Sequence, residues 1–382
     1  MTGCIFTINA GSSSIKFGMF EANESLAQIF KGSIRGIGGK SSTFQIDDEV
    51  QEIVIADHKA AIHLLIERIQ VHGSQLIAIG HRIVHGGPKY SSSQVINREV
   101  IETLRGLTLF APDHLPEELL LIEAFEKRFP TIAQWACFDT SFHHNLPTVA
   151  KLLPIPRRYE AEGVRRYGFH GLSCEFLMKV LESLGSAKGR IILAHLGSGA
   201  SLTAVHNGKS IDTSMSFTPT AGVPMNTRSG DLDPGLFGYL AATHGFGAKE
   251  FSEMANCKSG LLGLSEISSD IKELLRLEPS DHRASEATSL FCYQIKKWIG
   301  AFAAALGGVD TLVFSGGIGE NSPIIRERIC RGLEFLGIEL EKQKNQENGK
   351  EISMASSRVI VRVIPTNEEW MIAKTIYLGM QK

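Results

Sequence analysis

Hydrophobic and polar positions alternate along two well-separated stretches of this chain, and glycine and serine break each alternation at its centre. The first stretch is IFTINAGSSSIKFGMF (Ile5–Phe20); the second is ILAHLGSGASLTAVHNGK, ending at Lys209. Period-two alternation with a Gly/Ser interruption predicts a β-hairpin in each case, because glycine supplies the positive φ of a tight turn. After the first hairpin the pattern predicts a glycine-rich strand–turn region to about Val54, containing GSIRGIGGKSSTF. An amphipathic helix follows over Lys59–Val71, with Ile62, Leu65, Ile66 and Ile69 at helical spacing. The run LIAIGHRIVHGG reads as a buried strand closing in a glycine-rich loop. Pro116–Phe129 reads as a helix with proline and two glutamates in its first turn, and WACFDTSF (Trp135–Phe142) as a short strand that stops at an aspartate.

The second half repeats this order. A long helix is expected over Ala284–Leu306. TLVFSGGIGENSPIIRERI then reads as a strand, a glycine turn and a helix, with Ser322 as its cap and Pro323 as its first position. The segment PTNEEWMIAKTIYLGM predicts a last helix starting near Glu368. The repetition implies an internal duplication. One domain spans residues 1–140 and is completed by the C-terminal helix 368–382; the other, nucleotide-binding, spans 141–367. The hairpin tips Asn9–Ser14 and His195–Ser201 correspond, one per domain, facing each other across a cleft.

Length supports two domains, since 382 residues exceed what one core usually encloses. With 39 Lys and Arg against 41 Asp and Glu, the net charge is −2, so no global basic field marks a nucleic-acid partner. The six cysteines are scattered without a CxxC pair, which fits reduced thiols better than a disulfide framework or a zinc site. The N-terminus enters a strand without a basic leader region, and the apolar region Ile299–Phe314 is interrupted by Gly307, Gly308 and Asp310. A cytoplasmic enzyme with no membrane or nucleic-acid partner is the expectation.

A single Gly/Ser turn implies no chemistry. Two at matching places in duplicated halves suit a polyphosphate clasp, where backbone N–H groups and hydroxyls converge and no Cβ blocks approach. The familiar nucleotide loops are absent. Gly208-Lys209-Ser210 lacks the Walker A glycine, Thr203 standing in its place, and Gly317-Ile-Gly319 continues to Ser322 rather than glycine. Arg82 closes an apolar strand and Arg228 lies in the turn-rich loop MNTRSGDLDPG. Their guanidinium forks suit a carboxylate or a phosphoryl group. Asp139, and His170 between Gly168 and Gly171 beside Arg165 and Arg166, complete a set suited to an anion. No nucleophile elbow and no HExxH occur, which leaves hydrolase chemistry unsupported.

Together TINAGSSSIKF, GHRIVHGG, CFDTSFHH, RRYGFHGLS, LAHLGSGAS, NTRSGDLDP, FSGGIGEN and PTNEEWMIA resemble acetate kinase and its short-chain acyl kinase relatives, in order, from the first strand to the last helix. The resemblance implies a duplicated α/β fold of the actin/Hsp70/hexokinase-like type with an interdomain cleft, ATP or ADP with Mg²⁺ or Mn²⁺ as cofactors, and a homodimer. It also implies reversible phosphorylation of acetate to acetyl phosphate. A propionate-preferring or broader acyl kinase is the alternative within the class; a nucleotide sensor or ATPase of the same fold is the alternative outside it.

Carried onto this sequence, the resemblance assigns Asn9, Ser12, Ser14 and Lys16 to one phosphate region and His195, Gly197, Ser198 and Gly199 to the other. Arg82 and Arg228 hold the carboxylate and the phosphoryl in flight, His170 donates to that phosphoryl, and Asp139 orients the acyl substrate or the metal site. Asn9 and Glu368 serve the metal. Asp281 and Arg283, with Gly317, Ile318 and Asn321, contact the nucleoside side, and Val84, Phe169 and Pro219 join Arg82 around the acid. A carboxylate is already ionised at neutral pH. Direct in-line transfer without a phosphoenzyme is therefore expected. Two departures stand out: Ser198 where the family commonly has asparagine, and Asp113 where an apolar pocket residue is usual. Asp113 either turns to solvent or alters the preferred acid.

Overall fold

Each alternating stretch folds as an antiparallel hairpin in the middle of a sheet. The structure is a computed structural model describing residues 3–11, 14–39, 41–71 and 75–381. Its contacts divide the chain into two units. One comprises Met1–His144, Gly171–Phe176 and Asn367–Lys382; the other comprises Asn145–His170 and Leu177–Thr366.

In the first unit the strands are β1 (Cys4–Ala10), β2 (Ser14–Glu21), β3 (Gln28–Arg35), β4 (Ser42–Ile46), β5 (Glu49–Ile53), β6 (Leu76–Ile83), β7 (Gln94–Val95) and β8 (Ala133–Phe138). They form one sheet in the order β5-β4-β3-β2-β1-β6-β8-β7. The second unit holds β9 (Arg190–Leu196), β10 (Ala200–His206), β11 (Lys209–Thr213), β12 (Thr311–Ser315) and β13 (Ile360–Val363), ordered β11-β10-β9-β12-β13. The central order β3-β2-β1-β6-β8 repeats there strand for strand. Both halves join two antiparallel pairings to two parallel ones. The fold is the duplicated two-domain α/β type.

Period-two alternation sends successive side chains of β1 to opposite faces of the first sheet. Phe6 and Ile8 pack with Phe17, Phe44, Leu65 and Phe125, beneath the helices His58–Val71 and Leu115–Arg128. Ile5 and Phe20 pack on the other face against Ile372 and Ile376 of the helix Glu368–Met380. In the second unit the helix His282–Leu306 buries Ala284, Ala287, Phe291, Ile295, Ile299 and Phe302 at the spacing of one helical face. Among the described residues no helix is long and apolar enough to cross a membrane.

Three local expectations need correction. GGIGEN is a short helix, Gly316–Asn321, rather than a turn. Gly316 makes this possible: its φ is +75°, and a Cβ there would lie 2.7 Å from the Leu196 carbonyl oxygen, so only glycine lets the helix start against β9. Ser322 stands at the N-cap of the helix Pro323–Cys330 but makes no side-chain capping bond. The long helix also begins two residues before the predicted Ala284, because Asp281 caps it through the Arg283 N–H at 2.9 Å.

His81, on β6, is buried and donates from Nε2 to Gln134 Oε1 at 2.6 Å. Burial lowers its pKa to about 4, the Gln134 bond working the other way. The folded value lies below the ordinary 6.5, so the neutral ring stabilises the fold fully above that value. The contribution is lost as pH falls from 6.5 towards 4. At most about 3 kcal/mol is involved. Urea unfolding should therefore weaken steadily across this window, and a His81→Phe variant should show a flatter pH profile; an unchanged profile would assign the acid lability elsewhere.

Candidate active site

In the first unit, the end of β6 and the end of β8 bring two sequence-predicted residues together. Asp139 follows β8 directly, its N–H donating to the Ile83 carbonyl at 2.9 Å. Arg82 donates from Nε (2.9 Å) and Nη2 (2.5 Å) to Asp139 Oδ2, and from Nη1 to the Ala10 carbonyl at 3.2 Å. Asp139 is fully buried and the Arg82 side chain is 12% exposed. Burial alone would lower the Arg82 pKa; the charge of Asp139, then that of Glu368, more than offsets it, so the guanidinium stays protonated. These bonds hold the planar group in one orientation and use three of its five N–H donors, leaving two for an anion.

The tip of the same hairpin carries Asn9, whose amide donates to Glu368 Oε2 at 2.6 Å and Glu369 Oε1 at 3.2 Å. Both glutamates lie in the first turn of the C-terminal helix, capped by Asn367 through the Trp370 N–H. Burial, then the Glu368 charge, raises the Glu369 pKa, opposed by Lys16. Two carboxylates and an amide are hard donors of the kind Mg²⁺ or Mn²⁺ accepts, so the residues present fit such an ion. Among the described residues no group of three or more His, Cys, Asp or Glu is gathered as a metal cage. Lys16 is exposed on β2, and Ser14 closes the turn by accepting from the Gly11 N–H at 2.7 Å. Ser12 lies outside the described residues.

In the second unit the Gly/Ser turn gathers three of the predicted groups. The Gly197 N–H donates to the Gly199 carbonyl at 3.0 Å, closing the turn. A Cβ on Gly199 would stand 3.2 Å from His170 Nε2 and 3.6 Å from Arg228 Nη1, so this bare backbone runs directly past both. A Cβ on Gly197 would stand 3.8 Å from the Gly317 nitrogen, placing the turn beside the GGIGEN helix. The exposed Ser198 accepts, through its carbonyl, from the Asn226 N–H at 3.3 Å, tying the turn to the arginine loop. Arg228 Nη1 donates to the Pro219 carbonyl at 3.4 Å. His170 has left-handed backbone, φ 57°, a strained conformation for histidine that aims its ring at the turn. The ring stacks on His195 with centroids 4.3 Å apart. Its Nδ1 lies 2.9 Å from the buried Ser201 hydroxyl. Nε2 is the ring nitrogen beside Gly199.

Other predicted residues are placed differently. Asp281 and Arg283 bind one another, Oδ2 accepting from Nη2 at 3.1 Å, and Arg283 reaches Glu266 at 3.2 Å. Asn321 donates back to the Gly317 carbonyl at 3.0 Å, within its own helix. Ile318 is buried and Gly317 exposed. Of the acid-pocket set, Val84 belongs to the first unit and Phe169 and Pro219 to the second, all three buried. Asp113 is exposed on the turn before Leu115, which favours the solvent reading of that departure.

Two supporting residues escaped the sequence reading. Ser201 carries one signal, its place directly across the β9–β10 ladder from His195. Arg326 is fully buried and donates to the Gly319 (2.8 Å) and Glu320 (3.1 Å) carbonyls, which the short GGIGEN helix leaves without internal partners. Its signal was a charge on the inward face of a predicted helix.

Known proteins resemble this chain over nearly its whole length. Residues 4–374 match the Acetokinase family. An acetate kinase of Bacillus cytotoxicus is 42% identical over 97% of this chain and 98% of its own length. Among solved structures, Porphyromonas gingivalis acetate kinase superposes with a TM-score of 0.86 at 38% identity, covering all of both chains. A propionate kinase from Francisella tularensis superposes with a TM-score of 0.90 at 34% identity, covering 98% of each. With its duplicated sheets, its buried arginine–aspartate pair and its histidine and arginine at a Gly/Ser turn, the chain belongs to the acetokinase family, phosphotransferases whose acceptor is a carboxyl group.

Proposed function

We propose that this protein transfers the γ-phosphoryl of ATP directly to acetate, reversibly, giving acetyl phosphate and ADP. The observation that carries the reading is the approach of His170 Nε2 and Arg228 Nη1 to the bare backbone of Gly199. Phosphoryl transfer spreads charge over three equatorial oxygens, and preorganised donors stabilise that charge without reorganising. Here His170 and Arg228 donate to those oxygens, and backbone N–H groups of the turn hold the polyphosphate. Arg82, fixed by Asp139, grips the acid with its two remaining N–H groups. No general base is needed, because the acceptor is already a carboxylate. When bound, Mg²⁺ neutralises polyphosphate charge, and Glu368 with Asn9 would hold it. Asp281 and Arg283 serve the nucleoside side in this reading.

Trapping of acyl phosphate as the hydroxamate, with acetate, propionate and butyrate in parallel, tests the proposal. ADP release should depend on the acid and match hydroxamate formed. Release that ignores every acid would mark an ATPase instead. Similarity to the Francisella propionate kinase favours propionate as a second substrate in the same assay.

The homodimer belongs to the same proposal. The helix Gly235–His244 (GLFGYLAATH) buries none of its residues, and Phe237 and Tyr239 are 40% and 62% exposed. A largely exposed apolar helix fits association with a second copy. Light scattering should give a dimer mass for the native chain and a monomer for Tyr239→Glu; a variant that stays dimeric would move the interface elsewhere.

A further inference from the structure

The helix Leu115–Arg128 lines the first core with Leu115, Leu119, Ile122 and Phe125, and one inward position among them carries a carboxylate. Glu118 is 2% exposed. Both of its oxygens lie 3.1 Å from the backbone nitrogen of Val84. That amide has a special place in the chain. The β6–β8 ladder ends at the pair Ile83 and Phe138, so Val84 provides the first N–H beyond the sheet. A buried N–H at such a point needs a partner, and Glu118 supplies it. Two residues earlier, on the same face of the strand, Arg82 leaves β6 to meet Asp139.

We propose that Glu118 is a positioning residue for acid binding: its carboxyl group fixes the Val84 N–H where β6 leaves the sheet, and so fixes the Val84 side chain and the Arg82 guanidinium that receive the substrate carboxylate. The inference rests on the carboxyl-acceptor reading above. One further feature supports it. Burial pushes the Glu118 pKa up to about 8, against the pull of Arg82 and the Val84 N–H, so near neutrality the group is largely uncharged and does not repel an incoming acid. An ordinary buried glutamate would be an expensive way to line a core; one that meets the first unpaired amide of the acid-binding strand has a defined task.

The test compares KM for acetate, KM for ATP and kcat in three variants of the full chain, with melting temperature as a control. Glu118→Gln keeps an acceptor for Val84 and should leave the KM for acetate within about twofold of the native value. Glu118→Met keeps the length but accepts no such bond, and should raise it about tenfold while the KM for ATP stays put. Glu118→Asp withdraws the carboxyl by one methylene, keeps the fold if methionine does not, and should raise the KM for acetate about threefold or more. An unchanged acetate KM in Glu118→Asp or Glu118→Met, or equal rises for acetate and ATP, would overturn the assignment. A tenfold rise in Glu118→Gln would overturn it as well. Failure of the underlying reading looks different: the native enzyme would release ADP without regard to acid.

Discussion

Replacing Arg228 by alanine should lower kcat about a thousandfold while the KM for ATP changes by less than about threefold. The reason is geometric. Arg228 stands beside the Gly199 backbone and His170, its Nη1 also meeting the Pro219 carbonyl and the Met225 sulfur. In the proposed mechanism the turn amides hold the nucleotide in the ground state. In the transition state the migrating phosphoryl has lost its bonding to ADP and relies on donors placed around its equator. An interaction made mainly at that point reduces kcat when removed, and leaves ground-state affinity nearly intact. Arg228→Lys should recover only part of the loss, since an ammonium cannot offer two parallel N–H bonds. Steady-state kinetics with saturating acetate checks both. A rise in the KM for ATP matching the fall in rate would make Arg228 a nucleotide-binding residue.

Removing the Asp139 carboxylate should damage stability and acid affinity together. Asp139 is fully buried and accepts two bonds from Arg82. Asp139→Ala leaves a buried guanidinium without its counter-charge, a change that typically costs about 3–5 kcal/mol. Asp139→Asn keeps the shape and should destabilise less, but it leaves the arginine free to swing between the Ala10 carbonyl and the acid. For this variant kcat/KM for acetate should fall about a hundredfold, the magnitude expected when a charged substrate loses an oriented bidentate partner. Denaturant titration and acetate saturation curves measure the two effects separately. Native acetate affinity in a folded Asp139→Asn enzyme would show that Arg82 needs no orienting group.

Much of this fold is written in the alternation itself. IFTINAGSSSIKFGMF and its partner near Lys209 encode hairpins because period-two patterning with a glycine break has few other solutions, and the duplicated strand order follows from their repetition. Arg82, Asp139, His170 and Arg228 were legible as polar residues at strand ends and in glycine loops, the places where side chains can reach a ligand. The Arg82–Asp139 bond joins residues 57 apart, so no local spacing could reveal it. Glu118 was illegible for a related reason, and Ser201 was legible only as part of a hairpin tip: each looks like an ordinary polar residue until the fold brings the Val84 amide or His170 to it. GGIGEN misled because three glycines argue for a turn on propensity, whereas the contact with β9 selects a helix. Asp281 and Arg283 were readable as a polar pair, but their bond to one another and the cap on the long helix depend on where that helix begins.

The central claim is that a carboxylic acid, and no residue of the protein, takes the phosphoryl group from ATP. Mixing the enzyme with γ-labelled ATP and Mg²⁺, with and without acetate, tests it most directly. The account predicts no label on the protein in the absence of acid, and one acetyl phosphate for each ADP once acetate is added. A protein-bound label that forms without acid and passes to acetate at the rate of turnover would contradict it.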